Sequence, residues 1–210
     1  MNYTQVLCLG DSITFGSRCK YDRGYPPIFS KMLTEYLGWP HICINAGVSQ
    51  ETSAQITRRA WQYLSNPDIR LLILIAGTND SKPTVRTPPE IYAENIEQIL
   101  LMATATETAT ILCNLPYLIP AGQPTYGVES PELIAKYNQE VERLARKYKI
   151  TPVVNLYNFF KENPDKLADG VHPNSEGYHS IAQLLFERII QGTSIPMLSM
   201  AKQANQKQDA

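Results

Sequence analysis

Several things are scarce in this 210-residue chain, and each scarcity removes a class of function. Long apolar runs are missing. The longest aliphatic stretch, Leu71 to Ala76, is far shorter than the roughly 20 residues a membrane-crossing helix requires. An excess of either charge is also missing, since 19 Lys and Arg face 20 Asp and Glu for a net charge of −1. Such a balance provides no electrostatic footprint for nucleic acid or for an anionic membrane surface. Cysteine is sparse, with only Cys8, Cys19, Cys43 and Cys113 and no C-x-x-C spacing. That pattern argues against a zinc site or a disulfide framework. Cys8, Cys43 and Cys113 instead sit in apolar, strand-like runs, where a free thiol behaves as a small hydrophobe. The opening Met1-Asn2-Tyr3-Thr4 lacks the basic region of a signal peptide, so the expectation is a cytoplasmic protein.

What is present is an ordinary globular composition, 43% hydrophobic and 19% charged, in a length that suits one domain. Apolar runs of strand length alternate with stretches of helical periodicity. Gln5 to Leu9, His41 to Asn45, Leu71 to Ala76, Thr110 to Asn114 and Pro152 to Asn155 read as strands. Between them, Ile28, Phe29, Met32, Leu33, Tyr36 and Leu37 recur at helical spacing, as do Ile56, Ala60, Tyr63 and Leu64. Ile91 to Ala103, Leu133 to Tyr148 and Tyr178 to Ile189 repeat the pattern. The third strand is apolar throughout, which requires cover on both faces and places it at the centre of a parallel sheet. Five alternations predict a three-layer α/β/α sandwich around a five-stranded parallel sheet, flavodoxin-like, over residues 1–191. Residues 192–210 read as a polar, weakly patterned tail. The long connection from Leu115 to Glu129, rich in proline and glycine, reads as a functional wall or lid, with Tyr117 and Tyr126 as pocket candidates.

Right-handed crossovers bring the carboxyl ends of all strands to one edge, the edge where open α/β sheets bind ligands. Gly10-Asp11-Ser12-Ile13-Thr14 leaves the first strand there. A serine at so sharp an exit combines an exposed nucleophile with nearby backbone N–H donors, although either Asp11 or Ser12 could simply cap the next helix. Far along the chain, Asp169-Gly170-Val171-His172-Pro173 sets an aspartate three residues before a histidine. A carboxylate so placed can accept the Nδ1 proton and free Nε2 to act as a base toward a serine. Asn45-Ala46-Gly47 and Gly77-Thr78-Asn79-Asp80 follow the second and third strands onto the same rim.

Taken in order, these four segments resemble the motif blocks of the SGNH hydrolases, also called GDSL esterases or lipases. The resemblance spans residues 10 to 173. It implies Ser12 as nucleophile, with Asp169 and His172 completing the triad. It further implies an oxyanion hole built from the N–H of Ser12, the N–H of Gly47 and the side-chain amide of Asn79. No metal and no organic cofactor is implied, and the partner is a small-molecule carboxylic ester or thioester, with a tilt toward small acyl groups. Two other readings use the same residues. One is an acyltransferase in which an alcohol intercepts the acyl-enzyme; the other is a non-catalytic flavodoxin-like module cradling a phosphate near Ser12. Asp11 and Asp80 are expected to fix loops rather than carry protons. His41 and His179 are expected at packing or surface positions, and Arg58 and Arg59 on a solvated helix face.

Overall fold

The computed structural model describes residues 4–20, 24–119 and 130–191. Four parallel strands, β1 (Thr4–Gly10), β2 (His41–Gly47), β3 (Ile69–Ile75) and β4 (Ala109–Leu112), form one sheet in the order β2-β1-β3-β4. Among the described residues, seven α-helices surround it: α1 (Ser12–Phe15), α2 (Tyr25–Leu37), α3 (Ser53–Leu64), α4 (Pro89–Ala105), α5 (Pro131–Lys147), α6 (Leu156–Glu162) and α7 (Ser175–Gln191).

Alternation along the central strands divides the interior into two cores. Val6 and Cys8 of β1, with Leu71, Ile73 and Ile75 of β3, face one way and pack with Phe29 and Leu33 of α2 and Ile181 and Leu185 of α7. Leu7 and Leu9, with Leu72 and Leu74, face the other way toward Ile56 of α3, Ile96 of α4 and Val141 of α5. All nine of these strand side chains are essentially inaccessible to water. Each contributes about 1.5–3 kcal/mol of burial free energy for side chains of this size. A strand covered on both faces has no polar side, which is why β1 and β3 read as continuous apolar runs.

Local signals set the helix ends. Pro26 and Pro27 occupy the first turn of α2, and Gly38, with φ of +77°, closes it. Thr52 and Gln55 form a reciprocal capping box at the start of α3. The Ser130 hydroxyl accepts the Leu133 N–H to start α5.

The fifth strand is the point of difference from the sequence expectation. Its place beside β4 is taken by a single parallel bridge between Cys113 and Val154. Val154 donates to the Leu112 carbonyl and accepts from Asn114 N–H, at 3.0 and 3.1 Å. Pro152 has no N–H to extend the ladder. Three residues on, the Asn155 side chain accepts the Asn158 N–H and turns the chain into α6. Only one residue is left to pair. Helix α6 was absent from the sequence reading; its buried residues, Leu156 and Phe160, are one turn apart.

Strand register positions the functional edge. Gly10 pairs with Gly47 on one side and with Ile75 on the other. The segments after β1, β2 and β3 therefore leave the sheet side by side at one level.

Candidate active site

The turn after β1 is built by close packing. A Cβ at Gly10 would lie 2.1 Å from the Ile75 carbonyl oxygen and 2.3 Å from Thr14 Oγ1, so no side chain fits. The next residue, Asp11, is fully buried. Its carboxylate accepts the Ile13 N–H at 3.0 Å and the Thr78 N–H at 3.3 Å, capping α1 and fastening it to the segment after β3. Burial pushes the Asp11 carboxyl above its ordinary value, against the lowering effect of those backbone donors. Ser12 follows as the first residue of α1.

His172 arrives from the other end of the chain on a tight loop before α7. An antiparallel bridge between Leu167 and Pro173 closes this loop, and Ala168 N–H donates to the His172 carbonyl at 2.7 Å. Asp169 Oδ1 accepts the backbone N–H groups of Val171 and His172 at 3.1 and 2.8 Å. Asp169 Oδ2 lies 3.0 Å from His172 Nδ1, and His172 Nε2 lies 2.9 Å from Ser12 Oγ. Nδ1 faces a carboxylate that can only accept, so the proton belongs on Nδ1 and Nε2 offers its lone pair to the Ser12 hydroxyl. Arg18 Nε also donates to Asp169 Oδ2, at 2.9 Å. Partial burial pushes the Asp169 carboxyl up, but the backbone and ring donors of His172, with Arg18, outweigh it and hold the carboxyl below its ordinary value.

Asn79 sits in the 3-10 turn after β3, Thr78–Ser81. Its Nδ2 donates one hydrogen to the Glu51 carbonyl at 2.9 Å, which fixes the amide plane. Its neighbour Asp80 is buried and grips the start of α3, accepting the Ser53 hydroxyl and N–H at 2.6 and 2.7 Å. Burial raises the Asp80 carboxyl above its ordinary value, and the Ser53 donors partly offset this. Neither Asp11 nor Asp80 lines the cavity over the site, in keeping with a loop-fixing role.

That cavity measures about 350 Å³ and is lined by Ser12, Asn79 and His172, with Phe15, Ser17, Arg18, Ser49, Gln50 and Lys82 around them. Gly47 is not among the lining residues. Its N–H donates to Asn45 Oδ1 at 3.0 Å. A Cβ there would lie 2.0 Å from the Phe15 nitrogen, so glycine at this position lets α1 lie against β2. Gln50, which the sequence reading passed over, holds a left-handed φ of +70° in the turn after β2 and forms part of the cavity wall. Nothing in the residue type announces that conformation, since glycine or asparagine is its usual marker.

The other candidates lie elsewhere. Tyr117 packs edge-on against Tyr157 and does not line the cavity; Tyr126 and the tail at 192–210 lie outside the described residues. His41 is buried with Nδ1 against the Trp39 carbonyl, and burial lowers its pKa. His179 is on the outer side of α7 with Nδ1 near the Ser175 carbonyl. Arg58 is exposed as expected. Arg59 is not solvated: its side chain is only 14% exposed and its Nη2 reaches the Gly10 carbonyl at 3.0 Å. Among the described residues, no cluster of His, Cys, Asp and Glu could hold a metal, and no helix is long and apolar enough to cross a membrane.

An acetylxylan esterase of Xylanibacter ruminicola is 25% identical over 213 residues, covering 86% of this chain. The chain spans only 42% of that esterase's length. Among solved structures, a lipase/acylhydrolase from Enterococcus faecalis superposes with a TM-score of 0.74 at 21% identity, covering 89% of this chain and 95% of that one. A GDSL-like lipase from Bacteroides thetaiotaomicron gives a TM-score of 0.71 at 26% identity, covering 90% and 88%. The model of the GDSL-like lipase/acylhydrolase family matches residues 8–179, from within β1 to the second turn of α7 and across every segment of the site, and the chain belongs to that family.

Proposed function

We propose that the protein is a serine esterase that hydrolyses carboxylic esters of small acyl groups through a Ser12–His172–Asp169 triad. One observation carries this reading: the unbroken line of contacts from Ser12 Oγ through both ring nitrogens of His172 to the Asp169 carboxylate. As Ser12 Oγ attacks the ester carbonyl, its proton passes to His172 Nε2. Asp169 holds the resulting imidazolium, and collapse of the tetrahedral intermediate expels the alcohol with that same proton. Water then enters and attacks the acyl carbon as it gives a proton to Nε2; the second tetrahedral intermediate breaks its bond to Ser12 Oγ, which takes that proton back as the acid leaves.

The oxyanion needs donors pointing at the carbonyl oxygen as it becomes charged. Ser12 N–H, in the first turn of α1, and the second amide hydrogen of Asn79 are two. Because Gly47 N–H is engaged by Asn45, we assign the remaining backbone donor to Gln50, which shares the cavity with the other two. The modest cavity supports a short acyl group, and its walls of hydroxyl, amide and cationic side chains suit a polar alcohol better than a lipid chain. The acetylxylan esterase relative is consistent with that preference.

Hydrolysis of p-nitrophenyl esters from acetate to palmitate, beside Ser12→Ala, tests the reading. Turnover greatest at short chains and lost in the variant is expected. Turnover that survives Ser12→Ala would overturn it.

A further inference from the structure

Arg59 lies outside the cavity yet holds together two segments that converge on it. It projects from α3. Its Nη2 donates to the carbonyl of Gly10, two residues before the nucleophile, at 3.0 Å. Its Nε donates to the Glu51 carboxylate at 2.7 Å. Glu51, with its side chain 18% exposed, also accepts the Asn79 amide on its backbone carbonyl and directly follows Gln50. One guanidinium therefore ties the strand end that carries Ser12 to the turn that carries Gln50 and orients Asn79.

The arrangement is poorly explained by stability alone. Nη1 of Arg59 is buried without a hydrogen-bond partner among the described residues, and an unpaired buried donor is destabilising. A buried ion pair is often matched or exceeded in stability by apolar residues of the same volume. What such residues could not do is make two directed bonds, one to each segment. Arginine's rigid, planar fork suits that task.

We propose that Arg59 is a positioning residue for the oxyanion donors, setting the Ser12 turn at a fixed distance from Gln50 and Asn79. The inference rests on the ester-hydrolase reading above. Its action runs through Gly10 and Glu51, and Arg59 itself touches no substrate.

The test is a double-mutant cycle with p-nitrophenyl acetate on the full chain: wild type, Arg59→Met, Asn79→Ala and the double variant. Arg59→Met is expected to lower kcat about tenfold with KM changed less than about threefold, and its factor in the Asn79→Ala background is expected to shrink to about threefold or less. A merely structural role would give the same factor in both backgrounds. That result would overturn the proposal, as would a loss confined to KM or no loss at all. Should Arg59→Met fail to fold, Glu51→Gln, which leaves the backbone carbonyl to Asn79 but weakens the ion pair, is carried through the same cycle with the same outcomes. Ser12→Ala separates the two levels of inference. If it abolishes turnover while the cycle is multiplicative, only the role of Arg59 falls; if it leaves turnover intact, the hydrolase reading falls first.

Discussion

Replacing Asp169 by asparagine changes one oxygen for an NH2 group and little else in shape, yet the surroundings make it a severe test of the triad. Among the described residues, the groups that hydrogen-bond the Asp169 carboxylate are donors: the N–H groups of Val171 and His172 at Oδ1, Arg18 Nε at Oδ2, and His172 Nδ1, nearer to Oδ2 at 3.0 Å than to Oδ1 at 3.2 Å. An asparagine oxygen can satisfy only one side. Turned toward the two backbone donors, it leaves its NH2 against Arg18 Nε and His172 Nδ1. The ring answers by moving its proton to Nε2, so that Nδ1 can accept, and in that tautomer Nε2 cannot take the proton of Ser12. The same substitution in serine proteases lowers kcat by about 10⁴, equivalent to ~5.5 kcal/mol of barrier, and a loss of this order is expected here. Asp169→Ala, which leaves the ring free to hold its proton on Nδ1, is expected to be no worse. Initial rates of p-nitrophenol release, with Ser12→Ala as blank and circular dichroism as the fold control, decide the matter. Activity in Asp169→Asn within about tenfold of wild type would refute the tautomer argument.

Other expectations are simpler to state. Ser12→Ala, His172→Ala and the double variant should fall to a common floor, about 10⁶ below wild type in kcat, because the triad acts as a unit. Gly47→Ala would set a methyl group 2.0 Å from the Phe15 nitrogen, forcing α1 off β2. Urea denaturation should show a loss of about 1–3 kcal/mol, with kcat falling because Ser12 moves with α1. Stability should also carry a pH signature from Asp11. Its folded value is raised by burial above the ordinary 3.8, so its contribution is full below that value and declines as pH rises through the raised one. Asp169, held low, works in the opposite sense: its contribution is present above the ordinary value and lost as pH falls through the folded one. Urea midpoints from about pH 4 to about pH 7 should show a flatter slope in Asp11→Asn than in wild type.

The sheet was legible because its signals are local. A strand buried on both faces announces itself by composition, as Leu71 to Ile75 do, and Gly10 and Gly38 stand where a strand and a helix end. The proposed triad was legible because Asp169 and His172 lie within one loop, and because strand exits in a parallel sheet share an edge. What escaped was decided by long-range packing. A fifth strand that survives as one bridge depends on where β4 runs and on a missing N–H at Pro152. The engagement of Gly47 N–H by Asn45 and the left-handed turn at Gln50 are properties of a tertiary fit that no residue type declares. Arg59 shows the same limit: on a helical wheel it is a charge beside Arg58, and only the approach of Gly10 and Glu51 turns it inward.

The distance along the chain between the two ends of the proposed triad has a consequence for synthesis. Ser12 and His172, in contact at 2.9 Å, stand 160 residues apart. Helix α7, which follows His172 directly, packs against α2, and its Tyr178 hydroxyl donates to the Ser17 carbonyl at 2.8 Å. A growing polypeptide can therefore complete β1 to β4 before Ser12 meets its imidazole partner, a contact that forms only as α7 docks on α2. On the proposed mechanism, turnover therefore reports the assembly of the domain from β1 to α7 rather than of any fragment.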